Sequence, residues 1–440
     1  MGGPSGGFEM VDARDISNKQ KQIAVSEFFE KNKHFLGFDS LQRSLITAVK
    51  EAVDNSLDAC EETRILPEIK IEINRLNGDD IELISQDNGP GIPRDAIENV
   101  FGKFLLGSRF HAIRQTRGQQ GIGITGVVMY AQLTTGAKTR VISKISKESS
   151  AVFVELGLDT RKNKAIKSKE RRELWEDENT GEEIPHGLKI STVMKAKYQR
   201  GKQSVFQYLR MTSIVNPHAT ISLIVRDRDG EVIEEAKWIR TSERLPRVVE
   251  EIKPHPHGIQ LGTLQRMLRE SEEKRMTSFL RHNFSGVSMR AAKELLSVSE
   301  IEEARNPKRI NSEDAKKLID AFQKIKLLPP PTDCLSPIDD LLIKKGLSKA
   351  IDSRFASTVT RLPTVSQGNP FQIEVGLVFG GDLSADGPIE VLRFANRVPL
   401  MYQQGGCALT KAIESINWKQ YGLDHPGGKG LPKGAAAVLI

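Results

Sequence analysis

The apolar and polar positions change period along the chain and predict regions of different architecture. Up to about Pro254, helical and strand-like patterns alternate. From His257 to about Leu328 only helical patterns occur, in "LGTLQRMLRES", "EKRMTSFLRHNF", "MRAAKELLSVS" and "NSEDAKKLIDAFQKI". Three prolines in "LLPPPTD" then end the helical run. After them, "FQIEVGLVFGG", "PIEVLRFANRVPLMY", "ALTKAIESINW" and "AAAVLI" alternate strand and helix again.

This order predicts an α+β multidomain protein. We expect a flexible tail at 1–23, an α/β domain at 24–254, an all-α domain at 255–331 and a second α/β domain at 332–440. The sequence stops at Ile440 within a predicted strand, so we expect the last domain to be incomplete.

The first domain opens with a predicted helix and hairpin. Apolar residues from Leu41 to Leu57 recur at helical spacing and predict a helix from about Ser40 to about Glu62, with a capping box made by Asp39 and Gln42. "IKIEINRLNGDDIELIS" alternates apolar and polar positions around an Asn-Gly turn, which predicts a β-hairpin with one buried face. "TTGAKTRVISKI" and "ATISLIVRD" are predicted as further strands of the same domain.

Composition narrows the class of protein. The 440 residues include 64 Lys and Arg against 57 Asp and Glu, a formal net charge of +7 that favours a polyanionic partner only weakly. No apolar run approaches the roughly 18 residues that span a bilayer. The cysteines Cys60, Cys334 and Cys407 lie far apart, which argues against a disulfide framework or zinc site and favours the cytoplasm.

The predicted first helix carries an organised polar face. Glu51, Asn55 and Asp58 are spaced i, i+4 and i+7, with Asp54 a quarter-turn away. A solvated helix face would account for these residues. They also suit a site in which Asn55 ligates magnesium and Glu51 polarises a water molecule.

Two glycine-rich segments follow. In "DNGPGI", Asp87 could accept a hydrogen bond from the amino group of a purine, with Gly89 and Gly91 allowing close approach of the backbone; the alternative is a plain turn. In "RGQQGIGI", backbone N–H groups could converge on a phosphate at the start of a helix, although such loops are as often structural. Its residues are Arg117, Gly118, Gln119, Gln120, Gly121, Ile122, Gly123 and Ile124.

The three motifs in this order resemble the Bergerat ATP-binding fold of the GHKL superfamily, which includes type II DNA topoisomerases, MutL proteins, ninety-kilodalton heat-shock chaperones and histidine kinases. The later "HGLKIST" is similar to a further motif of the superfamily, with Leu188 where threonine is usual. The resemblance implies a Bergerat α/β sandwich that binds ATP and Mg²⁺. Glu51 would be the general base and Asn55 the metal ligand.

Further site residues are implied by the same resemblance. Asp87, with Gly89 and Gly91, would bind adenine, and Arg117 to Ile124 would surround the phosphates. "LLGSRFHAIRQT" resembles the ATP lid, with Ser108 and Arg109 close to the nucleotide. The superfamily's switch lysine is expected beyond Ile440, so neither Lys429 nor Lys433 is assigned that role.

The all-α region selects one branch of the superfamily. "FLRHNFSGVSMRAAKELL" resembles the helix-two-turn-helix domain that B subunits of DNA topoisomerase VI insert between the ATPase and transducer domains. "GKFLLGSRFHAIRQTRGQQGIGITG" and "FANRVPLMY" are similar to the same subunits, mostly archaeal ones. The basic residues of this module could let it bind duplex backbone, or it could be a structural spacer. The basic residues are Lys274, Arg275, Arg281, His282, Arg290 and Lys293.

The resemblance implies the ATP-hydrolysing subunit of a type IIB DNA topoisomerase. ATP would dimerise two copies into a gate for duplex DNA, and a separate A subunit would cleave the strands, giving a heterotetramer of two A and two B subunits that relaxes and decatenates DNA. We expect a cytoplasmic, nucleoid-associated protein without a membrane contact. Two alternatives stay open: a MutL-like mismatch-repair ATPase, and an ATPase-dead scaffold for a DNA-cleaving partner.

Overall fold

The computed structural model describes residues 25–104, 113–118, 121–159, 164–177, 180–402 and 404–440. The predicted tail at 1–23 lies outside these residues. The first region contains helices α1 to α5, which are Val25–Asn32, Leu41–Glu62, Arg94–Gly102, Gly123–Thr135 and Val205–Val215. Its strands β1 to β8 are Glu68–Arg75, Asp80–Asp87, Thr139–Lys144, Ala151–Asp159, Lys164–Glu173, Gly187–Lys195, Thr220–Arg226 and Val232–Trp238.

These strands form one sheet in the order β5-β4-β3-β6-β2-β1-β7-β8. All neighbours are antiparallel except β1 and β7, which are parallel. Burial alternates along β2 and β7, so one face of the sheet packs against helices. Helices α2, α4 and α5 share a single apolar core with that face. This is the two-layer α/β arrangement that the Bergerat resemblance implies.

Helix α2 begins where the sequence predicts, but its N-cap residue differs from the predicted one. The N-cap is Ser40, whose hydroxyl accepts a hydrogen bond from the Arg43 backbone N–H at 3.3 Å. Asp39 instead forms an ion pair with the side chain of Arg43. The predicted Asp39–Gln42 capping box is therefore wrong, because the chain enters the helix one residue later than the box requires.

Strands β4 and β5 are among the strands that were not predicted. The charged segment after Ser149 contains β4, which is almost wholly buried, and β5, whose lysines and arginines are mostly exposed. Strand β5 is an edge strand of the sheet, where charged side chains remain in water. Because most residues of β5 are charged, the pattern of apolar and polar positions did not predict a strand there.

The second region is helical and has its own core. Helices α6 to α9 are Leu261–Glu270, Met276–Asn283, Met289–Val298 and Ser312–Lys324, in the places that the sequence predicts. Their apolar sides form a cluster centred on buried Phe279, Phe284 and Phe322. Because this core is separate from that of the first sheet, the helices form a distinct module. The predicted boundaries at 255 and 331 remain predictions.

The third region is α/β. Its helices α10 and α11 are Asp340–Ala350 and Ala408–Glu414. Its strands β9 to β16 are Phe355–Thr360, Thr364–Ser366, Asn369–Phe371, Glu374–Phe379, Glu390–Leu392, Phe394–Ala395, Val398–Pro399 and Ala436–Leu439. Four of them form a sheet in the order β13-β16-β12-β9. Helix α10 and strand β9 were not predicted; α10 packs on this sheet and against α5 of the first region.

Within the described ranges, no helix is long and apolar enough to cross a bilayer. Cys60, Cys334 and Cys407 are buried free thiols, in agreement with the absence of paired cysteine spacing.

Candidate nucleotide-binding site

One large cavity collects most of the predicted site residues. Its volume is about 1180 Å³, and it lies where helix α2, the end of β2 and the start of helix α4 meet. The predicted residues that line it are Glu51, Asn55, Asp87, Gly91, Arg117, Gly118, Gly121, Ile122, Gly123 and Ile124. Ser108, Arg109, Gln119 and Gln120 lie outside the described residues. Three motifs that are separate in sequence therefore form one site.

The side chain of Glu51, which belongs to helix α2, lies against the first turn of helix α4. This side chain is one-quarter exposed, and its carboxylate forms an ion pair with Lys50 at 3.1 Å. A Cβ atom at Gly123 would overlap with Oε2 of Glu51. The absence of a side chain at Gly123 thus lets the carboxylate reach the first turn of helix α4.

Asn55 and Asp54 face different surroundings, as the helical spacing predicts. Asn55 is exposed in the cavity. Asp54 is buried, where it pairs with Lys50 at 3.0 Å and accepts a hydrogen bond from the Tyr208 hydroxyl at 3.0 Å. Burial raises the pKa of Asp54. Asn55 is therefore free to meet a ligand, whereas Asp54 has a structural role.

Asp87 is held in a fixed orientation at the end of β2. Its carboxylate is buried and accepts hydrogen bonds from the Ser56 hydroxyl at 2.6 Å and from the Gly89 backbone N–H at 2.9 Å. Burial raises the pKa of Asp87. Two carboxylate oxygens offer about four acceptor positions, so capacity for a further donor from the cavity remains.

The glycines near Asp87 are required by the local backbone conformation and packing. Gly91 has φ of 73° and its Cβ would overlap with the Lys144 carbonyl, while a Cβ at Gly187 would overlap with the Asp87 carbonyl. Both positions therefore require glycine. Gly89 does not line the cavity; it donates its N–H to Asp87, so our expectation of direct ligand approach at Gly89 does not match this structure.

Helix α4 presents an open N-terminus to the cavity. Its N-cap residue is Ile122, and no side chain in the described part of the chain caps it. The first N–H groups of a helix lack intrahelical partners and carry partial positive charge. This end of the cavity therefore suits a phosphate group.

The side chain of Arg117 is paired inside the protein. Its guanidinium is buried and donates to Asp58 at 2.7 Å, to Glu61 at 2.6 Å and to Asn216 at 2.6 Å. Burial opposes the charge of Glu61, but Arg117 and a hydrogen bond from His218 lower the pKa of that carboxyl. We expected Arg117 to surround the phosphates; in this structure its charge is already paired inside the protein. The carboxylate of Asp58 is likewise engaged, by its ion pair with Arg117.

Some cavity residues were not predicted. Lys50 and Ser56 neighbour predicted residues on helix α2, and their spacing on its polar side was the available signal. Asn396 also lines the cavity, although it belongs to the third region. No local pattern could have placed it there, because 280 residues separate it from Thr116, its contact at the base of the glycine-rich loop.

No group of three or more His, Cys, Asp or Glu side chains able to hold a metal ion occurs among the described residues. Any magnesium here would depend on Asn55 together with oxygen ligands from the nucleotide and water.

Comparisons with known proteins agree with this geometry. Residues 40–160 match the family of histidine kinase-, DNA gyrase B- and HSP90-like ATPases. Residues 330–440 match the topoisomerase VI B subunit transducer. These matches cover the regions on both sides of the helical module.

Longer relatives extend the likeness across the chain. The B subunit of type 2 DNA topoisomerase 6 from Methanococcoides burtonii is 50% identical over 429 residues, 97% of this chain and 67% of the relative. Its namesake from Methanosarcina barkeri is 48% identical, covering 98% and 68%, and that from Archaeoglobus fulgidus is 46% identical, covering 97% and 68%. At this identity over nearly its whole length, the chain belongs to the family of type 2 DNA topoisomerase 6 B subunits.

Proposed function

We propose that the cavity binds ATP with Mg²⁺ and hydrolyses the nucleotide, and that this cycle opens and closes a dimeric gate for duplex DNA. The observation that carries the proposal is the meeting of Glu51, Asn55, Asp87 and the N-terminus of helix α4 around one cavity. Family membership supports the topoisomerase assignment over the MutL-like alternative.

The proposed roles follow from the chemistry of each group. Asp87 accepts from the adenine amino group, since its orientation is fixed by Ser56 and Gly89. The open N–H groups of helix α4 bind phosphate oxygens. Asn55 would hold a magnesium ion through its amide oxygen, and the ion would offset phosphate charge. Glu51 accepts a proton from the attacking water as general base.

The partners are proposed from the family name. An A subunit would cleave the DNA, and two A and two B subunits would assemble as a heterotetramer. The basic residues of the helical module, among them Arg281 and Arg290, are exposed and could contact duplex backbone. A spacer role for this module would equally satisfy the observed fold.

The gate proposal predicts dimerisation that depends on nucleotide. With adenylyl imidodiphosphate and Mg²⁺, the chain is expected to shift from monomer to dimer in size-exclusion chromatography with light scattering. Asn55→Ala removes the proposed metal ligand and is expected to remain monomeric. Asn99→Ala, a change in helix α3 outside the cavity wall, is the matched control and is expected to dimerise.

A nucleotide-bound monomer in the unmodified chain would contradict gate closure by residues 1–440 while leaving ATP binding intact. Dimerisation of Asn55→Ala at wild-type nucleotide concentration would contradict the magnesium role.

The contact between Gly123 and Glu51 gives a second test. In Gly123→Ala the new methyl group must displace the Glu51 carboxylate. A misplacement of about 1 Å in a reacting group can cost about 100-fold, so we expect a loss of ATP turnover of this order. Thermal stability should hardly change, because the atoms that move are at the end of a flexible side chain and alanine favours the helix.

Gly262→Ala, near the start of helix α6 and outside the cavity wall, provides the control. A Cβ at Gly262 would have no neighbour within 4 Å. Turnover of Gly262→Ala should match the unmodified chain. Equal turnover losses in the two variants would indicate a general effect of glycine replacement in a helix and not displacement of Glu51.

A further inference from the structure

The two-residue turn Asn396–Arg397, between strands β14 and β15 of the third region, is unusual in its backbone. Asn396 has φ of 51° and Arg397 has φ of 64°. Two-residue hairpin turns often take positive φ at both positions, and asparagine tolerates it, but for arginine the conformation is unfavourable and persists only where the surroundings enforce it. The contacts of Arg397 therefore hold the turn in this conformation.

The Arg397 side chain fastens the turn within the third region. Its guanidinium is buried and donates to the Ser336 carbonyl at 2.9 Å, the Ser336 hydroxyl at 3.0 Å and the Pro337 carbonyl at 3.0 Å. Burial lowers the pKa of Arg397 to about 10. All three acceptors are uncharged oxygens, so the buried cation holds the turn through hydrogen bonds to neutral groups.

The outer side of the turn contacts the segment that leads into the glycine-rich loop. The Asn396 amide donates to the Thr116 carbonyl at 3.3 Å, and Asn396 lines the nucleotide cavity. Next to it, Asn216 accepts from Arg117 at 2.6 Å and donates to the Arg397 carbonyl at 3.4 Å. Asn216 thus joins the base of the loop to the turn.

Gln115 adds two more contacts with the third region. Its backbone N–H donates to the Cys334 carbonyl at 2.9 Å, and its side-chain oxygen accepts from the Ser336 N–H at 2.8 Å. The three residues before Gly118 are therefore each held, directly or through Asn216, by the third region. A shift of the loop on binding a phosphate must strain or move these contacts.

We infer that the Asn396–Arg397 turn is a positioning element through which the transducer region senses the state of the glycine-rich loop. The turn touches the loop base at Thr116, and Arg397 passes any displacement to Ser336 and Pro337, which precede helix α10. This inference rests on the proposed nucleotide site. Asn396 and Asn216 are its key residues; neither acts on the reacting atoms.

The test uses the full chain and compares hydrogen exchange with and without adenylyl imidodiphosphate and Mg²⁺. In the unmodified chain we expect the nucleotide to slow amide exchange in helix α10 by about fivefold or more, the lower range of allosteric coupling. Asn396→Gly removes the amide while glycine keeps the positive φ. At nucleotide concentrations that saturate the variant, it is expected to lose the change in helix α10.

Asn216→Ser, which removes the second connection, is expected to weaken the same response. Gln367→Gly is the matched control, because Gln367 also has positive φ in a two-residue hairpin turn of the third region but does not line the nucleotide cavity. It should behave as the unmodified chain.

The outcomes separate the two proposals. An unmodified chain that binds no nucleotide overturns the proposed function and this inference with it. Nucleotide binding with an undiminished response in Asn396→Gly overturns the inference alone. A response lost in Asn396→Gly and kept in Gln367→Gly supports it, since a purely structural role would not make the loss depend on nucleotide.

Discussion

Arg117→Met is expected to destabilise the protein by about 3–5 kcal/mol, the usual cost of removing one partner from a buried ion pair. The Arg117 side chain is 4% exposed, and those of Asp58 and Glu61 are 11% and 18% exposed. Methionine fills similar space but leaves both carboxylates without their cation. The loss should appear in chemical denaturation and as a lower Tm.

Two further substitutions sharpen this prediction. Arg117→Lys retains the charge but loses the planar guanidinium that donates to Asp58, Glu61 and Asn216 at once. It should therefore reduce stability, but by less than Arg117→Met. Arg114→Met removes a more exposed pair with Glu62, whose two side chains are 27% and 48% exposed. That change should cost only about 0–1 kcal/mol.

The same variants decide between two roles for Arg117. If Arg117 binds phosphate, as the sequence motif predicted, Arg117→Met should lose nucleotide affinity while stability is retained. If Arg117 instead holds the loop through hydrogen bonds inside the protein, as its contacts indicate, Arg117→Met should lose folding stability. A stable Arg117→Met protein that cannot bind nucleotide would contradict our interpretation of the structure.

Glu51→Gln is expected to reduce ATP turnover by about 100- to 10,000-fold, the range for loss of a general base. Glutamine has nearly the shape of glutamate, so it still fits beside Gly123, but it cannot accept the proton of the attacking water. The affinity for the ATP analogue should stay unchanged or increase slightly. Steady-state turnover and analogue titration on the same preparation measure both quantities.

Glu313→Gln, an exposed change in the first turn of helix α9, is the control and should turn over ATP normally. Wild-type turnover in Glu51→Gln would show that another group is the base. An unmodified chain that binds ATP but does not hydrolyse it even as the assembled complex would favour the scaffold alternative.

Local pattern predicted the parts of the site that lie close together in sequence. Glu51 and Asn55 could be placed on one side of helix α2 because helical geometry fixes their separation. Asp87 could be placed at a strand end because the Gly-Pro-Gly cluster stops the strand. The resemblance then joined these motifs into one site, and the cavity contains them.

Tertiary structure decided which polar groups are available to a ligand. Asp58, Asp54 and Arg117 have the residue types of a binding site, yet each is engaged by a partner inside the protein. Burial and pairing depend on residues far along the chain: Asn216 lies 99 positions from Arg117, and Tyr208 lies 154 positions from Asp54. No local period encodes such contacts.

The sequence by itself determined the family, the three regions, the helical module and the order of the nucleotide-binding motifs, because periodicity and short motifs act over a few residues. Only the tertiary structure decided that the charge of Arg117 is paired with carboxylates inside the protein and that Asn396 reaches the cavity wall. Those facts depend on how the third region packs against the first, which is set by the shape of whole surfaces and not by any single segment.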